Sequence, residues 1–218
     1  MEKFVQIAID GPAAAGKSTI AKLMAEKLQY VYVDTGAMYR AITWAVLDIG
    51  IHVEDEATII RLLNETEIVL APGGLVLVNG VDVTTAIRDK QVTACVSQIA
   101  TYASVRDELK KRQVKLANCA NVIMDGRDIG TNVLPHATFK FFMIADPRVR
   151  AMRRHKENKE KGIESDLDKL EADIKIRDEI DSNREHSPLK QAKDAILIDT
   201  SALSISEVVD KMVGYVLK

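Results

Sequence analysis

The sequence has few of the features that mark a secreted or membrane-embedded protein. Only two of its 218 residues are cysteines, Cys95 and Cys119, and their spacing fits neither a metal site nor a C-x-x-C redox motif. We expect both to be reduced packing residues. No apolar run is long enough to span a bilayer, and the residues after Met1 lead into a predicted strand rather than a signal peptide. We therefore predict a cytoplasmic protein without a membrane partner.

The chain also lacks a strong excess of charge. Its net charge is -2 and only 5% of its residues are aromatic, so the composition gives no general attraction to nucleic acid, and we expect no such partner. With 47% hydrophobic and 28% charged residues, the composition is that of an ordinary globular protein. A chain of 218 residues is long enough for one domain with a substantial core.

One glycine-containing segment near the start matches the phosphate-loop pattern G-x-x-x-x-G-K-[ST]. Alternating apolar residues before it predict a strand, and apolar residues at helical spacing after it predict a helix. The alternative is a chance glycine-rich turn between a strand and a helix, which the agreement between the pattern and its flanks disfavours. We expect the loop to bind a nucleoside triphosphate, with Lys17 reaching its β- and γ-phosphates and Ser18 ligating Mg²⁺. The predicted ATP-binding loop comprises Gly11, Pro12, Ala13, Ala14, Ala15, Gly16, Lys17, Ser18 and Thr19.

Alternation of strand and helix patterns along the chain predicts an α/β fold. Right-handed crossovers between the strands give a parallel β-sheet flanked by helices. Short strands near 68–70, 75–78 and 81–83, joined by tight-turn sequences, predict a small antiparallel sheet inserted into this pattern. A densely charged helical segment at about 147–186 is typical of a mobile lid.

Each apolar strand of the predicted parallel sheet is followed by an aspartate. These residues are Asp10, Asp34, Asp125, Asp146 and Asp199. The carboxyl ends of parallel strands meet at one edge, where such sheets bind ligands. We therefore expect the functional groups at this edge.

Two segments leave that edge with groups suited to anion binding. In Asp34 to Arg40 we expect Gly36 to allow a sharp turn and Arg40 to reach back to an anion; the alternative is a capped helix with a surface arginine. In the segment Asp125 to Gly130, Asp125 is a candidate to hold waters of the Mg²⁺ shell. Arg127 is a candidate to bind phosphate, and Asp128 to accept a hydrogen bond from an amino group. A structural turn with an internal salt bridge is the alternative there.

Taken together, these motifs resemble those of the bacterial cytidylate kinases, nucleoside monophosphate kinases that act on CMP and dCMP. The resemblance rests on the phosphate loop, Asp34 to Arg40, Ser97-Gln98 with Arg106, Asp125 to Gly130, and Arg177 with Asp181, Asn183 and Arg184. It runs through essentially the whole chain. It implies a single P-loop kinase domain of three layers over 1–218, with a monophosphate-binding insertion at about 36–116. One departure is Ile180, where some members carry an arginine.

The resemblance also implies residue roles. Ser97, Arg106 and Asp128 would read cytosine. Arg40, Arg127 and Arg184 would hold the acceptor phosphate near Thr35, and Arg177 and Asp181 would meet the sugar. In the lid, Arg150 and Arg154 share one helix face and would close over ATP. The implied catalytic residues are Lys17, Arg127, Arg154 and Arg184, and the implied metal-binding residues are Ser18 and Asp125.

The implied reaction transfers the γ-phosphoryl group of MgATP to CMP or dCMP, giving CDP or dCDP and ADP. It implies ATP and CMP or dCMP as partners and Mg²⁺ as cofactor, and we expect a monomer. Two rivals are a kinase for another acceptor, such as UMP or AMP, and a nucleotide-dependent switch. A GTPase switch requires D-x-x-G after a strand, and the sequence contains no such motif.

Overall fold

The structure of the chain is a computed structural model that describes residues 4–160 and 162–217. The chain divides into two compact units, one formed by residues up to 32 together with those from 120, and the other by residues 33–119.

A five-stranded parallel sheet dominates the first unit, as the sequence predicted. Its strand order is β2-β6-β1-β7-β8. The strands are β1 (Gln6–Asp10), β2 (Val31–Asp34), β6 (Val122–Gly126), β7 (Phe139–Ile144) and β8 (Ile196–Asp199). β1 pairs in parallel with β6 and β7, so that Asp10 lies beside Gly126 on one side and Phe142 on the other. The central strands are apolar runs because both of their faces are buried.

In its described residues the first unit has four α-helices, of which two pack against the sheet and two form a charged helical pair. They are α1 (Lys17–Leu28), α6 (Pro147–Glu160), α7 (Leu167–Asn183) and α8 (Ile205–Val216). α1 and α8 bury Ile20, Met24 and Met212 against Ile9 and Phe141 of the sheet. α6 and α7 form the helical pair predicted as a lid. α8 begins with a capping box, in which Ser204 Oγ accepts from the Glu207 N–H and the Glu207 carboxylate accepts from the Ser204 N–H.

The second unit contains the predicted small antiparallel sheet and four helices. Its sheet has the order β3-β4-β5. The helices enclose a core that includes Met38, Ile42, Ile59 and Leu109. The strands are β3 (Ile68–Ala71), β4 (Leu75–Val78) and β5 (Val81–Asp82), and the helices are α2 (Thr35–Asp48), α3 (Glu56–Glu65), α4 (Lys90–Ile99) and α5 (Ala103–Ala117).

Two local predictions were wrong. Gly36 does not form a sharp turn, because α2 already begins at Thr35; the Asp34 side chain caps it by accepting from the Ala37 N–H at 2.9 Å. A Cβ at Gly36 would lie 3.2 Å from that carboxylate, so the glycine makes room for the cap. Cys119 is not a packing residue: its thiol is free and exposed, whereas the free thiol of Cys95 is partly buried.

No helix among residues 4–160 and 162–217 is both long and apolar enough to cross a membrane.

Candidate active site

The phosphate loop joins β1 directly to α1, and its backbone requires small residues. Gly11 has φ 150° and Gly16, at the N-cap of α1, has φ 88°. A Cβ at Gly11 would lie 2.1 Å from the Met143 carbonyl oxygen, closer than real Cβ atoms approach. Ala14 also adopts a left-handed conformation, with φ 58°. The curled backbone at the start of α1 is the arrangement in which N–H groups bind phosphate.

Lys17 lies in this loop as a buried cation. Its side chain is 5% exposed, and its Nζ donates to the Pro12 carbonyl at 2.7 Å. Burial and the nearby Arg127 guanidinium lower the pKa of Lys17 to about 7, while Asp125 and Asp10 oppose that shift. Its ammonium is therefore only partly compensated by the protein.

Arg127 and Arg177 lie close enough to Lys17 for their charges to act on it, and Arg154 lies close to Arg177. We call Lys17, Arg127, Arg154 and Arg177 the cation cluster. Burial, followed by the charges of Arg127 and Arg154, lowers the pKa of Arg177 to about 10. Within the described part of the chain, the buried Nε of Arg177 has no hydrogen-bond partner. Mutual repulsion among these cations favours the binding of an anion.

Ser18 and Asp125 bring oxygen atoms together beside the loop. Ser18 Oγ donates to Asp125 Oδ2 at 2.9 Å, and the Tyr32 hydroxyl donates to Asp125 Oδ1 at 2.8 Å. Hydroxyl and carboxylate oxygens are the ligands that Mg²⁺ prefers. The two residues predicted to bind metal, Ser18 and Asp125, are therefore in direct contact. Tyr32, to which the sequence analysis assigned no role, orients the Asp125 carboxylate.

The segment after β6 is tied to α7 and to the residues that follow it. Arg127 Nε donates to Asp181 Oδ2 at 2.8 Å, and Arg184 Nη2 donates to Asp128 Oδ1 at 3.1 Å. Arg184 and Asp128 are almost completely buried. Arg127 and Asp128 of this turn thus pair with residues more than fifty positions away along the chain, and the Asp125 charge within the turn also acts on Arg127.

Asp10, at the end of β1, is a site residue whose role sequence reasoning missed. Its carboxylate is buried and accepts from the backbone N–H groups of Ile129 and Gly130, at 2.8 and 2.7 Å. Burial raises its pKa to about 6 although both hydrogen bonds oppose the shift. The signal was its place among the strand-end aspartates.

The two lid arginines differ in their surroundings. Arg150 is buried and donates to the carbonyls of Ala145 and Ala13, at 2.9 and 3.0 Å, and its Nη2 lies 2.6 Å from Asp178 of α7. It therefore braces the phosphate loop, and Asp178, which sequence reasoning did not assign, is its partner. Arg154 is 40% exposed and lies 3.5 Å from Glu157. ATP binding by either arginine stays a prediction.

The remaining predicted substrate residues lie in the second unit. Thr35 is buried at the start of α2, and Arg40 donates to the Ile87 carbonyl and the Thr93 hydroxyl, at 3.1 and 2.9 Å. Arg106 is buried beneath the Tyr39 ring, 5.5 Å from its centroid. Ser97 lies partly buried on α4. Arg40 and Arg106 are thus ordered by packing rather than freely solvated.

Comparison with known proteins gives consistent results over nearly the whole chain. The family model described as cytidylate kinase matches residues 7–218. The chain is 54% identical to a cytidylate kinase of Anoxybacillus flavithermus, over 97% of this chain and 96% of that protein. It is 52% identical to a cytidylate kinase of Geobacillus kaustophilus, over 99% of this chain and 98% of that protein.

Solved structures of distant sequence share the fold. A sugar kinase from Janibacter superimposes with a TM-score of 0.50 at 12% identity, covering 98% of this chain and 94% of that chain. An uncharacterised protein from Eubacterium ventriosum gives a TM-score of 0.54 at 13% identity, covering 98% of both chains. At such low identity the likeness concerns the fold alone.

Proposed function

Because this chain belongs to the cytidylate kinase family, we propose that it transfers the γ-phosphoryl group of MgATP to CMP or dCMP, giving ADP and CDP or dCDP. The cytidylate kinases to which it is more than half identical over nearly their full length support this reaction. The single observation that carries the mechanism is the cation cluster beside the phosphate loop, where burial and then neighbouring like charges lower the pKa values of Lys17 and Arg177.

The cation cluster suits phosphoryl transfer because charge on the transferring group is spread over its oxygens. Lys17 would contact the β- and γ-phosphates, and the charges of Arg127 and Arg177 act at the same site. The arginine forks match phosphate oxygens in pairs. In this mechanism the cations align donor and acceptor and stabilise charge in the transition state.

The residues beside the loop fit a magnesium ion bound together with ATP. Ser18 Oγ and Asp125 Oδ2, 2.9 Å apart, offer a hydroxyl as direct ligand and a carboxylate for the waters of the shell. When bound, Mg²⁺ neutralises phosphate charge and fixes the geometry of the polyphosphate. The hydrogen bond from the Tyr32 hydroxyl would hold Asp125 in place for this role.

The acceptor requires no general base. The α-phosphate of CMP is already an anion, so its oxygen attacks without losing a proton to the protein. Arg127 and Arg184 would hold that phosphate in line with the γ-phosphate of ATP, together with Arg40. Arg127 and Arg184 are fixed by Asp181 and Asp128, which reduces the conformational freedom lost on binding.

Cytosine would be selected by hydrogen bonding to its exocyclic amine. A carboxylate accepts from N4 of cytosine but is repelled by O4 of uracil. We assign this role to Asp128, with Ser97 and Arg106 contacting the rest of the base. Arg177 and Asp181 would contact the sugar, and Arg150 and Arg154 would close over ATP.

The test is ADP production by the purified protein with MgATP against CMP, dCMP, UMP, AMP and GMP at matched concentrations. We expect turnover with CMP and dCMP to exceed turnover with the other acceptors. Equal or faster turnover with another monophosphate would show that Ser97, Arg106 and Asp128 do not select cytosine. No turnover with any acceptor would overturn the proposed reaction. The monomeric state and the cytoplasmic location stay predictions; light scattering measures the first.

A further inference from the structure

Asp10 joins two functional segments of the first unit. It is the last residue of β1, so the phosphate loop begins at the next residue, Gly11. Its side chain points instead to the segment after β6, where Oδ1 accepts from the Ile129 N–H at 2.8 Å and Oδ2 from the Gly130 N–H at 2.7 Å. Each carboxylate oxygen thus accepts from a different backbone group.

The two bonded N–H groups come directly after Asp128. They lie at the start of a single wide helical turn, Ile129–Val133, in which the backbone N–H groups of Asn132 and Val133 donate to the Asp128 carbonyl at 2.9 and 3.2 Å. The backbone on the C-terminal side of Asp128 is therefore fixed by the Asp10 carboxylate and by this turn.

Placing a carboxylate here is energetically unfavourable by itself. Asp10 is 3% exposed, and its burial raises its pKa to about 6. The Asp128 charge acts in the same direction, whereas Lys17 and the two N–H groups favour the ionised form. Because an amide has one acceptor oxygen, an asparagine cannot accept from both N–H groups in the way that a carboxylate does.

We propose that Asp10 is a positioning residue for acceptor selection: by holding the Ile129 and Gly130 N–H groups, it sets the place from which Asp128 contacts the base. This inference rests on the proposed function, in which Asp128 reads cytosine. Asp10 itself contacts no substrate in this account. It acts through the backbone of the Asp125 to Gly130 segment.

The test is Asp10→Asn in the full-length protein, with kcat and KM measured for CMP, UMP and MgATP. We expect the KM for CMP to rise about tenfold and the preference for CMP over UMP to fall by a similar factor, because one buried hydrogen bond is lost and an N–H group is left facing the new amide. The KM for MgATP should rise by a smaller factor, because Asp10 acts on Lys17 only as one of several charges that favour its protonated form. Thermal unfolding shows whether the variant is folded.

Asp55→Asn is the matched control. Asp55 also accepts a backbone N–H bond, from Thr58 at 3.0 Å, but it caps α3 in the second unit. We expect this variant to keep the wild-type KM for CMP and the wild-type preference. A merely structural role for Asp10 would lower kcat equally with both acceptors at unchanged preference, and that result would overturn the proposal.

Gly130→Ala provides a second perturbation that keeps the carboxylate. A Cβ there would lie 3.3 Å from Asp10 Oδ2 and 3.2 Å from the Lys140 side chain, so it should displace the contact by a few tenths of an ångström. We expect a smaller rise in the KM for CMP and a smaller loss of preference. If Asp10→Asn does not fold, an unchanged preference in Gly130→Ala overturns the proposal. Failure of the wild-type protein to phosphorylate CMP would instead refute the proposed function.

Discussion

Arg127 and Asp181 form a largely buried ion pair between the segment after β6 and helix α7, with Arg127 Nε 2.8 Å from Asp181 Oδ2. Although burial alone would raise the pKa of Asp181, the charges of Arg127 and Arg177 lower it below its ordinary value. The pair therefore holds one cation of the cluster in place and compensates its charge. It also connects the proposed phosphate-binding and sugar-binding residues.

Replacing Asp181 by Asn should lower both stability and activity. We expect a loss of about 3 kcal/mol in the free energy of unfolding at neutral pH, because Arg127 is left as a buried charge without this partner. The lowered pKa means that this contribution is present above the ordinary pKa of Asp and is lost as the pH falls through the lower folded value. Denaturant unfolding of both proteins, repeated from neutral to acidic pH, measures the loss and its pH dependence.

Asp168→Asn is the control for that change, because Asp168 pairs with the exposed Arg148 on the surface of the helical pair. An exposed pair contributes at most about 1 kcal/mol. Equal losses in the two variants would contradict the account of Arg127 and Asp181 as a buried, structurally important pair.

Lys17 should take up a proton when ATP binds. Its pKa of about 7 in the nucleotide-free protein is well below the ordinary value of 10.5, and the phosphates will raise it. Above pH 7 the free side chain is mostly neutral, so proton uptake should increase from pH 6 to pH 8 and MgATP affinity should decline over the same interval. Calorimetric titration in buffers of different ionisation enthalpy measures the uptake.

Lys17→Arg is the matched variant for this experiment, because a guanidinium stays protonated throughout that interval. We expect its titration to show no pH-dependent uptake from this position. Uptake of the same size in the variant would assign the proton to another group. Lys17→Ala should lower kcat by several orders of magnitude with the fold intact, since the main cation at the phosphates is lost.

Asp128→Asn should shift acceptor preference from CMP towards UMP. The amide supplies an N–H donor that matches O4 of uracil, whereas the carboxylate matches N4 of cytosine. We expect the ratio of kcat/KM for CMP to that for UMP to fall by about tenfold or more. Steady-state kinetics with both acceptors measures the ratio, and an unchanged ratio would place base reading on other residues.

Gly11→Ala should prevent the phosphate loop from forming its observed shape. The added Cβ would lie 2.1 Å from the Met143 carbonyl oxygen, and backbone atoms cannot give way as a flexible side chain can. We expect loss of measurable MgATP binding together with destabilisation of several kcal/mol, on the order of a severe core defect. Gly80→Ala, at an open turn position with φ 81°, is the control and should affect stability but not ATP binding. Wild-type affinity in Gly11→Ala would contradict this interpretation.

Local sequence signals predicted most of the fold. The strand before Gly11, the helix after Lys17 and the tight turn at Asn79-Gly80 were predicted from patterns a few residues long, and the structure confirms them. The same signals failed at Gly36, where a glycine before a helical segment indicated a turn. The reason for that glycine is the space occupied by the Asp34 cap, which depends on the three-dimensional position of the carboxylate.

Long-range partners could not be predicted in the same way. From the sequence, Arg150 was expected to close over ATP. In the structure its guanidinium instead donates to the carbonyls of Ala13 and Ala145 and pairs with Asp178. Asp10 resembled the other strand-end aspartates, but its partners lie about 120 residues away. The hydrophobic periodicity of the sequence does not predict such contacts, because they form only when strands far apart in the chain align in the sheet.

The sequence by itself determined the order of strands and helices, the phosphate loop and the set of charged residues that follow the parallel strands, because these depend on local periodicity, backbone freedom and side-chain chemistry. Only the tertiary structure decided which charges meet. In the folded chain Arg127 pairs with Asp181 and Arg184 pairs with Asp128. Lys17 and Arg177 lie close to other cations, and the Asp10 carboxylate accepts from the backbone after Asp128. These energies depend on separation and solvent exposure, which are properties of the folded chain.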